Sequence, residues 1–357
     1  MSEQYLFTRR SFVQSATAGV AALAVGARGL ARDEVTPVKF GTGKATFTLD
    51  SAWGQLPAER KYGLGCAVVV DSKDRVIVTS RSATACVVIF DKSGKLVETW
   101  DKDISDKLGY NQAQYVATAH GLYWSKEGDS EFLYWTENVS APKGGPKIGA
   151  RVYKTDMNGK ILYQLGNIDK EGDNAQKFNF TNPTDVAVAP NGDIYIVDGY
   201  GSQLVHRFDK KFKLIKTMGG SGTEHGKFRT CHGVWVSTLN KEPEVYIADR
   251  ANNRLEVFSL ELEYKRTIDG VRNPCCFYQH GDHLYIPELD ARVTVLDAKD
   301  KVVATLGDGA KVEKPNREKT PEVFAFPHAL TLDSKGNLYI VEWVSNGRVR
   351  KLSHTPV

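Results

Sequence analysis

The feature that most constrains the fold is a pattern of short strands that recurs along the chain. Four stretches of alternating apolar and polar residues, separated by turns such as Asn-Gly, occur in NPTDVAVAPNGDIYIVDGYGSQLVHRFDKKFKLIKTMG. The same order recurs in CHGVWVSTLNKEPEVYIADRANNRLEVFSLELEYKRTI and FPHALTLDSKGNLYIVEWVSNGRVRKLS, and more loosely elsewhere. Alternation broken by turn residues predicts β-strands, and no helical periodicity separates them. The sequence therefore predicts an all-β protein.

Six copies of this pattern begin near residues 66, 120, 184, 232, 275 and 328. Four strands repeated every 40 to 60 residues, roughly, are typical of the blades of a β-propeller. We therefore predict a single six-bladed β-propeller domain over residues 32–357, with APKGGPKIGA (141–150) as a loop. The last copy holds only three strands, and a spare strand, KATFTLD, precedes the first copy. We predict that this N-terminal strand completes the sixth blade and closes the ring.

The first 31 residues do not follow the repeat. Arg9 and Arg10 precede Phe12 and an apolar, alanine-rich run that ends in small residues such as Ala31. This order is typical of a twin-arginine signal peptide, and the alternative is a short N-terminal helix. We predict a signal peptide over residues 1–31 and export to the bacterial periplasm or cell surface, with no transmembrane segment after cleavage.

Charge argues against a nucleic-acid partner. Removal of the signal peptide lowers the net charge from +4 to about +2, which leaves no strongly basic face for such a partner. The sequence gives no indication of the oligomeric state.

The five cysteines show neither a CxxC motif nor zinc-ribbon spacing. In an oxidising compartment Cys66 and Cys86 are a candidate disulfide, because both are expected on neighbouring strands of one repeat. Adjacent cysteines such as Cys275 and Cys276 rarely pair with each other. With Cys231 the chain has five cysteines, an odd number. At least one thiol is therefore expected to be free or paired with another molecule.

Three histidines occupy the same position in alternate copies. His120, His232 and His328 lie at the start of the first strand of the second, fourth and sixth copies, whereas Thr184 and Cys275 stand there in two others. The first strand of each blade lines the central channel, and alternate blades of six lie about 120° apart. The three imidazoles can therefore converge and form a zinc site with one open position. The alternative is that they are hydrogen-bonded residues that fill the channel.

The ends of the second strands face the same mouth of the channel. Arg81 lies there in TSRSA, Tyr200 in VDGYGS and Arg250 in IADRANN. Guanidinium groups bind carboxylates in bidentate geometry, and a phenol beside a dication can act as a base. We therefore predict a small anionic or peptide-like substrate. The alternative is a surface ion pair for each arginine and a packing role for the tyrosine.

The segment that runs from NPTDVAV through FRTCHGVWV to VYIADRANNRLEVFSLE resembles the NHL-repeat propeller of peptidyl-α-hydroxyglycine α-amidating lyase, and the likeness extends over most of the chain that follows the signal peptide. The resemblance implies a catalytic zinc ion on His120, His232 and His328. It also implies that the tyrosine and the two arginines at the channel mouth are catalytic residues. In that family an aspartate, a structural calcium ligand, follows the last zinc histidine. Ala329 stands there in this chain, so the resemblance does not extend to calcium.

The activity that the resemblance implies is cleavage of the C–N bond of an N-acyl carbinolamine, which gives an amide and glyoxylate. Tyr200 would be the base, and Arg81 and Arg250 would bind the carboxylate. One alternative is a non-catalytic NHL propeller that acts as a scaffold for a ligand or a protein and holds no stoichiometric metal. Another is a calcium-dependent lactonase, which would need carboxylates around its metal, whereas the channel offers Asp185 and few other acids.

Overall fold

The structure is a computed structural model that describes residues 37–42, 45–101, 103–108, 115–116, 118–138, 150–166 and 175–355. Within these residues twenty-six β-strands form six sheets. The protein is an all-β, six-bladed β-propeller, as the repeat predicts. The predicted signal peptide over residues 1–31 and all but the last residue of the predicted loop over 141–150 lie outside the described residues.

Two strands, β1 (Lys39–Phe40) and β2 (Phe47–Asp50), precede the first blade. In the blades that follow, the strands pair antiparallel and in chain order. The strands of the first three blades are β3 (Leu64–Val70), β4 (Val76–Arg81), β5 (Val87–Phe90) and β6 (Leu96–Thr99), then β7 (Ala119–Glu127), β8 (Ser130–Glu137), β9 (Arg151–Asp156), β10 (Ile161–Gly166) and β11 (Ala175–Lys177), then β12 (Asp185–Val188), β13 (Ile194–Asp198), β14 (Leu204–Phe208) and β15 (Leu214–Gly219). The short strand β11 is the exception, since it lies parallel to β10 at the outer edge of the second blade.

The last three blades repeat the arrangement. Their strands are β16 (Cys231–Ser237), β17 (Glu244–Asp249), β18 (Arg254–Phe258) and β19 (Tyr264–Ile268), then β20 (Tyr278–His280), β21 (His283–Glu288), β22 (Arg292–Asp297) and β23 (Val302–Leu306), then β24 (Pro327–Leu332), β25 (Leu338–Glu342) and β26 (Arg348–His354). The first strands of neighbouring blades contact one another, as β24 contacts β3 and β3 contacts β7. They therefore surround the axis, and the fourth strands lie at the rim.

The sixth blade combines strands from both ends of the described chain. The strand β2 pairs antiparallel with β26, with Phe47 opposite His354, and β1 pairs with β2. Phe47 and Phe40 are buried at this junction, where Phe40 stacks on Phe324 with ring centroids 4.5 Å apart. The backbone groups of β26 that would otherwise form a bare edge are thus paired.

Helical segments are few in the described part of the chain and lie in the connections between strands. They are α1 (Ile104–Leu108), α2 (Lys314–Arg317) and two 3-10 turns, Arg250–Asn252 and Gly309–Lys311. None of these is long or apolar enough to cross a lipid bilayer.

A repeated aspartate fixes many of the turns between strands. In the first blade, Oδ1 of Asp91 accepts hydrogen bonds from the backbone N–H groups of Ser93 and Lys95, at 2.8 and 3.1 Å. Five further aspartates accept bonds from the same two offsets, namely Asp71, Asp156, Asp209, Asp297 and Asp333. Because a short carboxylate satisfies turn N–H groups in this way, the local sequence sets where each strand ends.

The core lies between the faces of adjacent blades. One cluster of buried side chains joins Tyr195 of the third blade to Val245 of the fourth, and another joins Tyr246 of the fourth to Leu284 of the fifth. Residues alternate along each strand, so one face of a blade packs on the preceding blade and the other on the following blade. Burial of each large apolar side chain contributes about 1.5–3 kcal/mol.

The predicted disulfide between Cys66 and Cys86 is wrong. All five cysteines are thiols, and the Sγ atoms of Cys66 and Cys86 donate to the carbonyl oxygens of Ala119 (3.3 Å) and Ser82 (2.7 Å). Cys66 lies on β3 and Cys86 directly precedes β5, so β4 runs between them. Two strand spacings amount to about 9–10 Å, whereas a disulfide spans Cα atoms at most about 7 Å apart.

Candidate metal centre

Irregular strand pairing places three histidines at the axis. The pairing of β16 with β17 skips from Cys231 to Gly233, which leaves His232 as a β-bulge. The pairing of β24 with β25 skips His328 in the same way, and that of β7 with β8 shifts at His120. A bulge bends the strand and re-aims the side chain of the unpaired residue. The three imidazoles therefore point to the axis.

The three histidines form a nearly equilateral triangle. Their ring centroids lie 4.9 Å apart for His120 and His232, 5.1 Å for His120 and His328, and 5.0 Å for His232 and His328. One ligand atom from each residue lies within 4.8 Å of the others, and Nε2 of His120 is 3.2 Å from Nε2 of His232. All three residues are buried, with 2–4% of their surface exposed.

Each imidazole is oriented by a backbone carbonyl of the next blade. The Nδ1···O pairs are His120 with Thr184 (2.7 Å), His232 with Cys275 (2.8 Å) and His328 with Cys66 (2.7 Å). A carbonyl oxygen can only accept, so every Nδ1 carries the hydrogen and every Nε2 keeps a lone pair. Metal-binding histidines are usually fixed in this manner. The repeat pattern predicts the alternation of blades but not these carbonyl partners.

The charge state of the ring follows from its surroundings. Burial, the largest cause, lowers the pKa of His328 to about 3, and Arg250 acts in the same direction. Burial also lowers the pKa of His120 and His232 well below the usual 6.5, with further lowering by His328 and Arg81 for His120 and by Arg250 for His232. The imidazoles are therefore neutral at pH 7.

In each neutral ring the Nδ1–H group donates to a backbone carbonyl. The lone pairs of the three Nε2 atoms therefore face one another in a buried space. This arrangement is unfavourable unless a cation or a hydrogen-bond donor lies between them. Zinc–nitrogen bonds of about 2.0–2.1 Å at tetrahedral angles place two ligand nitrogens about 3.3 Å apart. The separation between His120 and His232 is 3.2 Å. The residues present thus fit a divalent metal such as zinc.

Tyr200 and Arg250 lie together beside the ring. The ring centroid of Tyr200 is 5.5 Å from those of both His120 and His232. Nη1 of Arg250 donates to the phenol oxygen at 2.8 Å, and Nη2 donates to Sγ of Cys275 at 3.3 Å. The structure therefore brings together two of the predicted mouth residues with two of the predicted ligands.

Arg81 reaches the ring from another side. Its Nε donates to the carbonyl oxygen of Ala119 at 3.0 Å, and its Nη2 to that of Asn138 at 3.2 Å. Its guanidinium carbon lies 5.1 Å from the centre of the Trp343 ring. These contacts hold the positive charge close enough to His120 to contribute to the lowered pKa of that imidazole.

A buried acid at the end of the second strand helps to place the mouth residues. Asp198 accepts bonds from the backbone N–H groups of Thr181 (2.7 Å) and Asn182 (2.5 Å), which precede the first strand of that blade. Asp249 accepts in the same way from Arg229 (2.8 Å), and its neighbour in sequence is Arg250. These bonds tie the end of the second strand to the start of the first, beside the axis.

Trp343 is a site residue that the sequence analysis missed. Its ring centroid lies 4.8 Å from that of His328 and 6.0 Å from that of His120. It follows the buried Glu342 at the end of β25, as Arg250 follows Asp249 at the end of β17. Comparison of the second-strand ends across all six copies would have revealed it.

The comparisons with known proteins agree with this architecture. The family model for the NHL repeat matches residues 180–208, which contain the first three of the four strands of the third blade. A solved structure of streptogramin B lyase has a TM-score of 0.53 at 12% identity, over 87% of this chain and 98% of that one, and shows the fold alone. The protein is thus a six-bladed propeller that contains an NHL repeat.

Two relatives make the similarity more specific. The chain is 26% identical over 321 residues to NHL repeat-containing protein 3 of Homo sapiens, which covers 85% of this chain and 84% of that protein. It is 28% identical over 259 residues to a probable peptidyl-α-hydroxyglycine α-amidating lyase of Caenorhabditis elegans, over 66% and 68% of the two chains. The resemblance predicted from the sequence is confirmed.

Proposed function

We propose that this protein is a periplasmic, metal-dependent lyase that cleaves the C–N bond of a peptidyl-α-hydroxyglycine-like carbinolamine to an amide and glyoxylate. The observation that carries the proposal is the buried ring of three acceptor nitrogens beside a tyrosine and two arginines. The similarity to a probable amidating lyase supports the choice of substrate class.

The Nε2 atoms of His120, His232 and His328 would hold the metal. Three imidazoles leave a coordination position open, and the carbonyl partners of Nδ1 keep each ring in the ligating tautomer. A zinc ion bound there would supply Lewis acidity to an oxygen of the substrate.

Tyr200 would accept the hydroxyl proton of the carbinolamine. Nη1 of Arg250 donates to the phenol oxygen at 2.8 Å, which holds that oxygen next to the histidine ring. As the O–H proton leaves, its electron pair forms the C=O bond of glyoxylate and the C–N bond breaks. The amide nitrogen then takes up one proton, so that the products are a primary amide and glyoxylate.

Arg81 and Arg250 would bind the carboxylate that becomes part of glyoxylate. Arg81 uses Nε and Nη2 for backbone carbonyls and stacks on Trp343, so its position is fixed before substrate arrives. Arg250 is fixed by Tyr200 and Cys275. Guanidinium groups held in place in this way can orient a carboxylate without further ordering cost.

The test combines metal content with turnover of α-hydroxyhippurate. We expect about one zinc per chain in the parent, loss of the metal in His232→Ala, and retained metal in Tyr200→Phe. Loss of a general base lowers the rate by about 10²–10⁴-fold, so Tyr200→Phe should lose turnover to that extent. Less than about half an equivalent of zinc after zinc is supplied would instead support a non-catalytic scaffold. Full activity of Tyr200→Phe would remove that residue as the base.

A further inference from the structure

The channel continues past the histidine ring, away from Arg81, Tyr200 and Arg250. It opens into a cavity of about 680 Å³ that is lined by the first strands of all six blades. We call this space, between the three histidines and the outer ends of the first strands, the inner chamber. Its volume lies in the range of small-molecule sites. The three histidines line its inner end, whereas Arg81, Tyr200 and Arg250 do not line it, so the rest of the chamber has no role in the proposed reaction.

Small residues allow close packing of the first strands next to the ring. In four blades the residue after the histidine-level position is glycine or alanine, namely Ala67, Gly121, Gly233 and Ala329. A Cβ at Gly121 would lie 2.5 Å from Oγ1 of Thr136, and one at Gly233 would lie 2.2 Å from the carbonyl oxygen of Cys275. Larger side chains are therefore excluded at both glycines. The other two blades carry Asp185 and Cys276 at this level.

Asp185 gives the inner chamber a carboxylate. Its Oδ1 accepts from the N–H of Val186 at 2.9 Å, and its Oδ2 accepts from the N–H of Val234 at 3.1 Å. Two oxygens offer about four lone-pair positions, so about two stay available to a ligand. The residue lines the cavity and is only partly buried by its neighbours, and desolvation raises its pKa to about 7.

Three aromatic side chains form a wall two residues further along the strands. Tyr123, Trp235 and Tyr278 come from the second, fourth and fifth blades and all line the cavity. Ring centroids lie 5.5 Å apart for Tyr123 and Trp235 and 5.7 Å apart for Trp235 and Tyr278. Asp185 and the three aromatic residues line the same cavity, so the carboxylate and the wall face a common space.

We propose that the inner chamber binds a small organic amine, with its ammonium group between Asp185 and the aromatic wall. A carboxylate and aromatic faces are the two groups that attract such a cation, and the wall also covers its apolar part. At about 3.3 Å per residue, the wall lies roughly 10 Å along the strands from the histidines. A metal on the histidines, the carboxylate of Asp185 and the ammonium group would then follow one another along the channel as positive, negative and positive charges.

The other charged residues that line the cavity do not repel this cation strongly. Lys126, Glu127 and Lys210 lie where the cavity wall meets the far surface. Glu127 pairs with Lys154 at 2.6 Å. Asp185 is therefore the charge closest to the inner end of the chamber, and it is negative.

The test measures binding of phenethylamine by isothermal titration calorimetry at pH 8, with and without zinc. We expect phenethylamine to bind at least tenfold more tightly than 2-phenylethanol, which has the same ring and no charge. Asp185→Asn should weaken the amine at least tenfold and change the alcohol less than twofold. The control Asp269→Asn, an exposed aspartate outside the cavity, should leave both affinities unchanged.

Equal binding of amine and alcohol by the parent protein would overturn the proposal, even if Asp185→Asn failed to fold. So would amine binding that Asp185→Asn does not weaken. A calcium titration adds a third arm: tight calcium binding that depends on Asp185, without amine binding, would assign the chamber to a metal instead. None of these outcomes depends on lyase activity.

Discussion

His206 should make the stability of this protein depend on pH, and the substitution His206→Phe should remove that dependence. The residue lies on β14 with 3% of its surface exposed, among the rings of Phe178 (5.0 Å) and Phe180 (5.6 Å). Its Nδ1 and Oγ1 of Thr217 are 2.9 Å apart, and its Nε2 is buried with no hydrogen-bond partner. A second proton would therefore add a buried and unpaired charge.

The magnitude follows from the pKa. Burial, the largest cause, lowers the pKa of His206 from 6.5 to about 4. Above pH 6.5 the imidazole is neutral in both states. As the pH falls from 6.5 to 4, the unfolded chain takes up the proton and the folded chain does not, so stability is lost at about 1.4 kcal/mol per pH unit. The free energy of unfolding should fall by about 3 kcal/mol from this residue alone.

His206→Phe removes this dependence. At pH 8 the variant should be less stable by about 1 kcal/mol, because Thr217 loses its hydrogen-bond partner. At pH 4.5 it should be more stable than the parent by about 1–2 kcal/mol. Urea unfolding at 25 °C, from pH 8 to pH 4.5, measures both curves, and the other titrating groups cancel in their difference.

A matched control separates the proton from the hydrogen bond. Thr217→Val keeps His206 and removes only its partner, so it should lower stability at every pH without changing the slope. If the His206→Phe and parent curves run parallel from pH 8 to pH 4.5, the buried imidazole titrates normally and the reasoning is refuted.

Three further changes test other parts of the structure. Arg250→Lys keeps the charge but loses the guanidinium fork, so we expect the KM for α-hydroxyhippurate to rise at least tenfold in steady-state kinetics, and an unchanged KM would argue against a carboxylate contact. Gly233→Ala places a Cβ 2.2 Å from a backbone oxygen, next to the bulge that orients His232. The free energy of unfolding measured in urea should therefore fall by about 2 kcal/mol or more, and the zinc content should fall as well. Replacement of Arg9 and Arg10 by lysine should retain the protein in the cytoplasm of fractionated cells, and normal export would refute the predicted signal.

The sequence was sufficient to predict the blades because their signals are local. Alternation and aspartate or glycine turns mark each strand, and the ring follows from the number of copies. The convergence of His120, His232 and His328 needed only their common position in alternate copies. In the structure these three side chains lie around one point. Their role as metal ligands stays a prediction.

Other features depend on contacts between distant segments and could not be predicted in this way. The disulfide between Cys66 and Cys86 was a wrong prediction because sequence proximity does not show that β4 separates them. The carbonyl partners of the histidines belong to the neighbouring blade, so they emerge only when the ring closes. The aromatic wall of Tyr123, Trp235 and Tyr278 likewise combines single residues from three blades.

The bond from each histidine to the following blade has a consequence for the whole ring. Three of the six seams, those between blades two and three, four and five, and six and one, are crossed by an imidazole whose other nitrogen faces the axis. Separation at any one of these seams would turn one imidazole and so loosen all three. An ion bound at the axis would therefore stabilise all three seams against separation. The rate of its release would be limited by the rate at which neighbouring blades separate.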